Sequence, residues 1–251
     1  MGELIVKNKD IVVPGEELAT GMDYLPAEGT YRYGDVIRAS RIGLVMINGR
    51  AIKIIPLAGR YLPKKGDNII GKIIDITMAG WRIDFNCAYT AMLQLKDATS
   101  DFIPKGADLT KIFDIGDYIM AKIVNVTSQN LVDISTKGPG LRKLKGGRIF
   151  SINTTKVPRV IGKNGSMVSM IKDYTKCKIM VGQNGLIWID GEPEMEHLAV
   201  QTIKKIEEES HISGLTDKIK QFLEEKITEL NKKKDKKENI DSNDNGSKDK
   251  E

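Results

Sequence analysis

The chain is poor in the residues that carry most catalysis and cross-linking: 251 residues include two cysteines, two histidines and two tryptophans, with only 6% aromatics. Cys87 and Cys177 lie ninety residues apart with no histidine cluster beside either. That excludes a disulfide framework and a zinc knuckle, and leaves both as small buried hydrophobes in a reducing compartment. His197 and His211 fall on or beside predicted helices, and no D-x-D or similar acidic cluster marks the long β-rich segment 66–137. The sequence therefore offers no catalytic residue, no metal site and no cofactor site. No apolar run approaches eighteen residues and no basic-then-apolar leader opens the chain. The expectation is a soluble, cytoplasmic protein with no signal peptide and no membrane span.

Positive charge, by contrast, is concentrated. Net charge is +5, yet between Arg142 and Lys178 ten Lys or Arg (Arg142, Lys143, Lys145, Arg148, Lys156, Arg159, Lys163, Lys172, Lys176, Lys178) meet one acid, Asp173. The local balance of +9 leaves −4 for the remainder. Inside this block sits Val160–Ser166, VIGKNGS. A positive field around a short glycine loop is what a polyanion-binding surface requires.

The length suits two domains or three small ones, and 40% apolar content argues for folded modules. Residues 1–65 hold short β-prone runs: Glu3–Lys7, then Ile11–Leu18 interrupted by Pro14-Gly15, then two or three strands in Asp35–Leu57. Asn48-Gly49 predicts a hairpin with both residues at the centre of the turn. No catalytic spacing occurs, so this is a small β-domain that packs or docks. Residues 66–137 form a longer meander, with strand runs opened by Gly66-Asp67 and Gly116-Asp117, and fit a closed five-stranded Greek-key barrel. Trp81, Ile83 and Phe85 alternate with Arg82, Asp84 and Asn86, so the apolar set faces the core and Arg82 faces out. Arg82, helped by Lys122 on a later strand, is a candidate contact for a base or phosphate. The order of pieces resembles the RNA-binding OB barrel repeated in the large small-subunit ribosomal protein. Where that family carries stacking aromatics around a glycine, this chain has Met78 and Arg82 around Gly80, so stacking there is expected to be weak.

A Gly- and Lys-rich connector, 138–147, leads into a last module. Arg148–Asn153 reads as a strand and Lys156–Ile161 as a short helix with Pro158 in its first turn. Gly162–Gly165 then breaks the helix, and Ser166 caps a second one, Met167–Lys176. Strands Cys177–Val181 and Leu186–Asp190 flank Gly182–Gly185, and Glu192–Glu209 closes the unit as a helix. This βααββα order, with G-x-x-G between its first two helices, resembles the KH domain of the eukaryotic type. In that fold the loop lets a nucleic-acid backbone approach, the start of the second helix favours phosphate, and Lys163 adds a cation. Lys156 and Arg159 lie one turn back. Ile161, Met167, Val168 and Ile179 are candidate groove walls. The expected RNA contacts are thus Gly162, Lys163, Asn164, Gly165, Arg159, Lys156, Arg148, Arg82 and Lys122, dominated by phosphate. Apolar repeats predict an amphipathic helix over 213–232, and 233–251, with one apolar residue, reads as a disordered tail.

The whole is a multi-domain chain, mainly β and then α+β: an amino-terminal β-domain (1–65), an OB barrel (66–137), a type I KH domain (146–212), a carboxy-terminal helix and a tail. That order closely resembles the archaeal exosome cap subunit that carries barrel and KH domains. The resemblance implies a noncatalytic subunit that binds single-stranded RNA. It implies three copies, alone or mixed with a second cap protein, docked through residues 1–65 on a hexameric ring of phosphorolytic ribonuclease subunits, feeding 3′ ends inward. Two other classes stay open on sequence alone: a nuclease in its own right, and a free-standing RNA chaperone or translation-associated protein.

Overall fold

The structure is a computed structural model that describes residues 2–99, 104, 106–212 and 214–245, with side chains through Leu230. It divides into two compact units, Met1–Arg60 and Tyr61–Glu251.

The first unit holds β1 (Ile11–Val12), β2 (Glu17–Thr20), β3 (Leu25–Pro26), β4 (Thr30–Tyr33), β5 (Val36–Ala39), β6 (Gly43–Asn48) and β7 (Ala51–Pro56). These form two sheets, ordered β1-β6-β7-β3 and β2-β5-β4. Alternation decides their inner faces: Ile37 and Ala39 of β5 and Ile52 and Ile54 of β7 close the core with Val12, Leu18 and Val45. The Glu3–Lys7 run contributes a single bridge, Leu4 to Ala19. The β6–β7 hairpin turns one residue later than its Asn-Gly pair suggests. Asn48 pairs with Ala51, so the loop residues are Gly49 and Arg50, and Gly49 takes the positive φ (59°). Positive φ at the first loop position alone is the type II′ pattern. The observed register sets Val45 opposite Ile54 and Ile47 opposite Ile52, so the pairing of apolar residues on the inner face overrides the local turn preference.

The second unit begins with β8 (Asn68–Thr77), β9 (Gly80–Asp84), β10 (Thr90–Gln94), the short helix α1 (Leu95–Ala98), β11 (Tyr118–Val126), β12 (Val132–Ser135) and β13 (Arg142–Leu144). The sheet order is β12-β10-β9-β8-β11-β13, and β12 also pairs with β11, which closes β8–β12 into a five-stranded barrel. Trp81, Ile83 and Phe85 are fully buried in it, as their alternation predicts, with Ile69, Ile73, Leu93, Ile119 and Ile123. Tyr61 belongs to the same core, and its hydroxyl donates to Asp67 at 2.6 Å. Gly80 sits at φ 145° with the Leu93 carbonyl 2.0 Å from where a Cβ would stand, so only glycine lets β9 and β10 meet there. The connector is not wholly irregular. Its middle is β13, held to β11 because Leu144 has an apolar site to fill.

Then follow β14 (Arg148–Ser151), a 3₁₀ turn (Thr154–Lys156), α2 (Val157–Ile161), a second 3₁₀ turn (Lys163–Gly165), α3 (Ser166–Thr175), β15 (Lys178–Val181), β16 (Leu186–Asp190), α4 (Pro193–Glu208) and α5 (Leu215–Asn245). The antiparallel sheet β14-β16-β15 has two apolar faces. Ile179, Ile187 and Ile189 face a core shared with α2, α3 and α4, and Leu215, Ile219 and Leu223 pack α5 against it. Ile149, Met180, Leu186 and Trp188 face the barrel and meet Ile70, Met120 and Leu144. The indole nitrogen of Trp188 donates to the Gly146 carbonyl at 2.8 Å.

Asn184, in the β15–β16 loop, is fully buried against the barrel. Its side-chain carbonyl accepts from Ile70 N (3.2 Å), and its amide donates to the carbonyls of Ile70 and Phe85 (2.7 Å each). The pairing of β8 with β9 begins only at Lys72 and Asp84, so this carboxamide supplies the rung that β9 stops short of making. Barrel and KH-like module are thereby locked into one body. The carboxy-terminal helix also runs past the expected end at residue 232, to Asn245. No glycine or proline occurs between Leu215 and Gly246 to break it, and five lysines between Lys232 and Lys237 carry the helix past Leu230. Of the tail expected at 233–251, residues 246–251 lie outside the described residues.

Candidate nucleic-acid interface

α2 stops because Gly162 leaves helical space (φ 76°, ψ 174°), and two more left-handed residues, Asn164 (φ 54°) and Gly165 (φ 80°), complete the turn. Helix α3 then starts at Ser166, already helical at φ −59°, ψ −39°. Ser166 is therefore not the cap. Gly165 holds that place, because glycine takes its left-handed geometry at no steric cost, and it has no side-chain oxygen to offer. The first amides of α3 have no side-chain acceptor, which favours an incoming phosphate oxygen together with the helix dipole.

The two loop glycines differ. A Cβ at Gly162 would stand 2.7 Å from both the backbone nitrogen and Cβ of Met167, so the fold itself requires glycine there. At Gly165 nothing lies within 4 Å, so that position is open to a ligand backbone. Lys163 and Asn164 between them are exposed. Lys156, in the turn before α2, is half-buried, and Arg159 donates from Nη2 to the Ile212 carbonyl at 2.9 Å, which ties its guanidinium to the chain beyond α4. Arg148 opens β14 opposite Ile189 and is exposed. Of the groove candidates, Met167 and Ile179 are core, whereas Ile161 and Val168 are half-buried at its edge.

On the barrel, Arg82 and Lys122 are both exposed, but the register keeps them apart. Arg82 lies beside Asp75 and Lys122 beside Asn68, at opposite ends of β8 and about 23 Å apart at ~3.3 Å per residue. Arg82 pairs with Asp75 at 3.8 Å, so Lys122 is not its helper. Met78 is fully exposed at the β8–β9 turn. The aromatic that sequence reasoning missed is Tyr118, half-buried, with the Lys72 ammonium 5.9 Å from its ring centroid. Its only sequence signal was its place at the start of a strand.

Electrostatics sharpen the picture of the basic block. Lys143 pairs with Asp117 and Lys178 with Asp190 (3.3 Å). Burial alone would raise the Asp117 pKa, but the Lys143 ammonium and the Asp114 amide outweigh it and hold the carboxyl below its usual range. The other eight cations of the block make no ion pair among the described residues.

Three family descriptions match the chain in order: the exosome complex exonuclease RRP4 N-terminal region over residues 11–48, the RRP4 S1 domain over 60–106, and a KH domain over 147–195. An exosome complex component Rrp4 from Pyrococcus furiosus is 47% identical over 234 residues, 92% of this chain and 88% of the relative. The chain belongs to the Rrp4 family of exosome components. The Rrp4 of Methanothermus fervidus is 45% identical over 88% of this chain and 97% of its own. A crystal structure of an exosome complex RNA-binding protein superposes with a TM-score of 0.61 at 37% identity, covering 68% of this chain and 98% of its own. The barrel is thus an S1-type OB fold and the last module a KH fold, both RNA-binding modules of an exosome component. Among the described residues no helix is long and apolar enough to cross a membrane.

Proposed function

We propose that the chain is a noncatalytic RNA-binding cap of the exosome. It delivers single-stranded 3′ ends to a hexameric ring of phosphorolytic ribonuclease subunits, on which three copies sit, alone or with a second cap protein. The observation that carries this reading is the locked pair of RNA-binding modules in a chain that also holds a separate amino-terminal unit matching the RRP4 amino-terminal description. The exposed groups at the KH loop are cations and amides, a set that grips phosphate and contains no acid–base pair. On this reading residues 1–65 dock on the ring, and Gly165, Lys163 and Asn164 contact the RNA backbone.

A pull-down from native extract tests it: the ring ribonucleases should co-purify with the full chain, and a chain lacking residues 1–60 should lose them while still binding RNA. The isolated chain should not shorten RNA with phosphate and divalent metal present. Turnover there, or co-elution of the truncated chain with the ring, would refute the assignment.

A further inference from the structure

We propose that the connector between barrel and KH fold is itself an RNA contact. Exposed Arg142, Lys145 and Arg148 form a cationic rail along which one continuous single strand passes from one module to the other. The inference rests on the reading that the chain binds single-stranded RNA.

The charge is one-sided. From Ile134 through Lys172 the sequence contains nine Lys or Arg and no acid. The acids that approach the connector from packed elements are already neutralised, Asp117 by Lys143 and Asp190 by Lys178. Arg142, Lys145 and Arg148 are exposed and make no ion pair among the described residues.

The position is at an edge. β13 is the last strand of the barrel sheet and β14 the outer strand of the KH sheet, with Gly146 and Gly147, both at positive φ, between them. The path from Arg142 to Arg148 spans at most about 20 Å, so a strand held by one module reaches the other along it. Lys122 extends the rail onto the barrel. On β11 it stands diagonally across from Arg142, whose direct partner is Met120, a separation of about 7 Å.

The connector is also stiff. Basic linkers usually have to be ordered on binding, but this one is registered to β11 at three positions, buries Leu144 between the modules and gives its Gly146 carbonyl to Trp188. Its anchors are backbone pairs, the Leu144 side chain and the Gly146 carbonyl, so the side chains of Arg142, Lys145 and Arg148 stay exposed, with Lys145 also near enough to Asp117 to help lower its pKa, and the charges are placed before the ligand arrives at little ordering cost.

The test is a full-length R142A/K145A/R148A variant titrated with a labelled, unstructured single-stranded RNA of about 20 nucleotides and with a tetranucleotide, from about 50 to about 300 mM salt. The long RNA should bind about tenfold or more weakly at the low-salt end, and the log–log salt slope should shrink by about 2, or ~0.7 for each of three lost contacts. The tetranucleotide, about the length a KH loop clamps, should be little affected. R142K/R148K should bind as the parent does, and all variants should melt with it. A triple variant with the parent's affinity and slope overturns the rail but leaves RNA binding standing, as does an equal loss on both RNAs for the continuous path. A parent that binds neither RNA overturns the reading beneath it.

Discussion

Replacing Asn184 by alanine is the sharpest test of how the two RNA-binding modules are held together. The substitution removes three hydrogen bonds, one accepted from Ile70 N and two donated to the carbonyls of Ile70 and Phe85. All three backbone groups belong to residues that are fully buried, and the side chain itself is excluded from solvent. A typical protein hydrogen bond contributes only about 1 kcal/mol net, but a buried partner left unsatisfied costs about 1–3 kcal/mol. Allowing for partial relaxation, the loss should be about 4 kcal/mol. For a unit of this size that corresponds to about 8–16 °C in the melting midpoint. Asn184→Asp is nearly isosteric yet turns a donor into an acceptor facing two carbonyls, so it should cost at least as much at neutral pH. Gln183→Ala is the control, because Gln183 contributes only its backbone amide, to the Asn68 carbonyl at 2.8 Å, and it should lie within about 0.5 kcal/mol of the parent. Urea unfolding read by tryptophan fluorescence reports on both modules, since Trp81 is in the barrel core and Trp188 at the junction. A loss under about 1 kcal/mol for Asn184→Ala would show that the backbone groups find other partners and that the apolar junction alone holds the modules.

The loop glycines should separate stability from binding. Gly162→Ala should destabilise by about 2–3 kcal/mol because its Cβ has Met167 at 2.7 Å, whereas Gly165→Ala, in open space, should cost only about 1 kcal/mol from its left-handed φ, and denaturant titration of both checks the ranking. The Asp117 carboxyl, lowered in the folded state, contributes stability that is present above its unfolded value near pH 3.9 and lost as pH falls through its folded value. Lys143→Met should therefore cost about 0.5–1 kcal/mol at pH 7 and progressively less as pH falls from about 3.9 through the folded value, and a difference that does not shrink with acidification would refute the pairing.

Periodicity and punctuation made the modules legible. The alternation around Trp81, Ile83 and Phe85 assigned an inner face correctly because one side of a barrel strand must be apolar whatever its neighbours are. The βααββα order and the VIGKNGS turn were readable for the same local reason. What could not be read depends on register between distant strands. Arg82 and Lys122 both point outward, but only the pairing of β8 with β9 and β11 shows that they stand at opposite ends. Ser166 was misplaced by one residue because a serine before an amphipathic run is a normal cap, and only the left-handed Asn164-Gly165 pair shows that the turn is already complete. Gly-Gln-Asn-Gly looked like a plain hairpin loop, yet its asparagine serves a barrel strand 114 residues away in sequence.

That last case bears on the candidate site. Two modules on a flexible basic linker would bind RNA with an effective concentration set by linker length. Here the linker is a strand, and the junction it crosses is closed by Trp188, Leu144 and the Asn184 carboxamide, none of them charged. The cations beside them, Arg142, Lys145 and Arg148, take no part in that closure. The clamp and these three unpaired cations are thus different residues of the same seam, so removing the three charges should leave the fold intact and removing the clamp should leave the charge intact. A glycine loop alone would favour one phosphate; the same loop rigidly joined to a barrel through a positive edge offers several phosphate contacts already in place, which lowers the ordering cost of holding one strand across both modules.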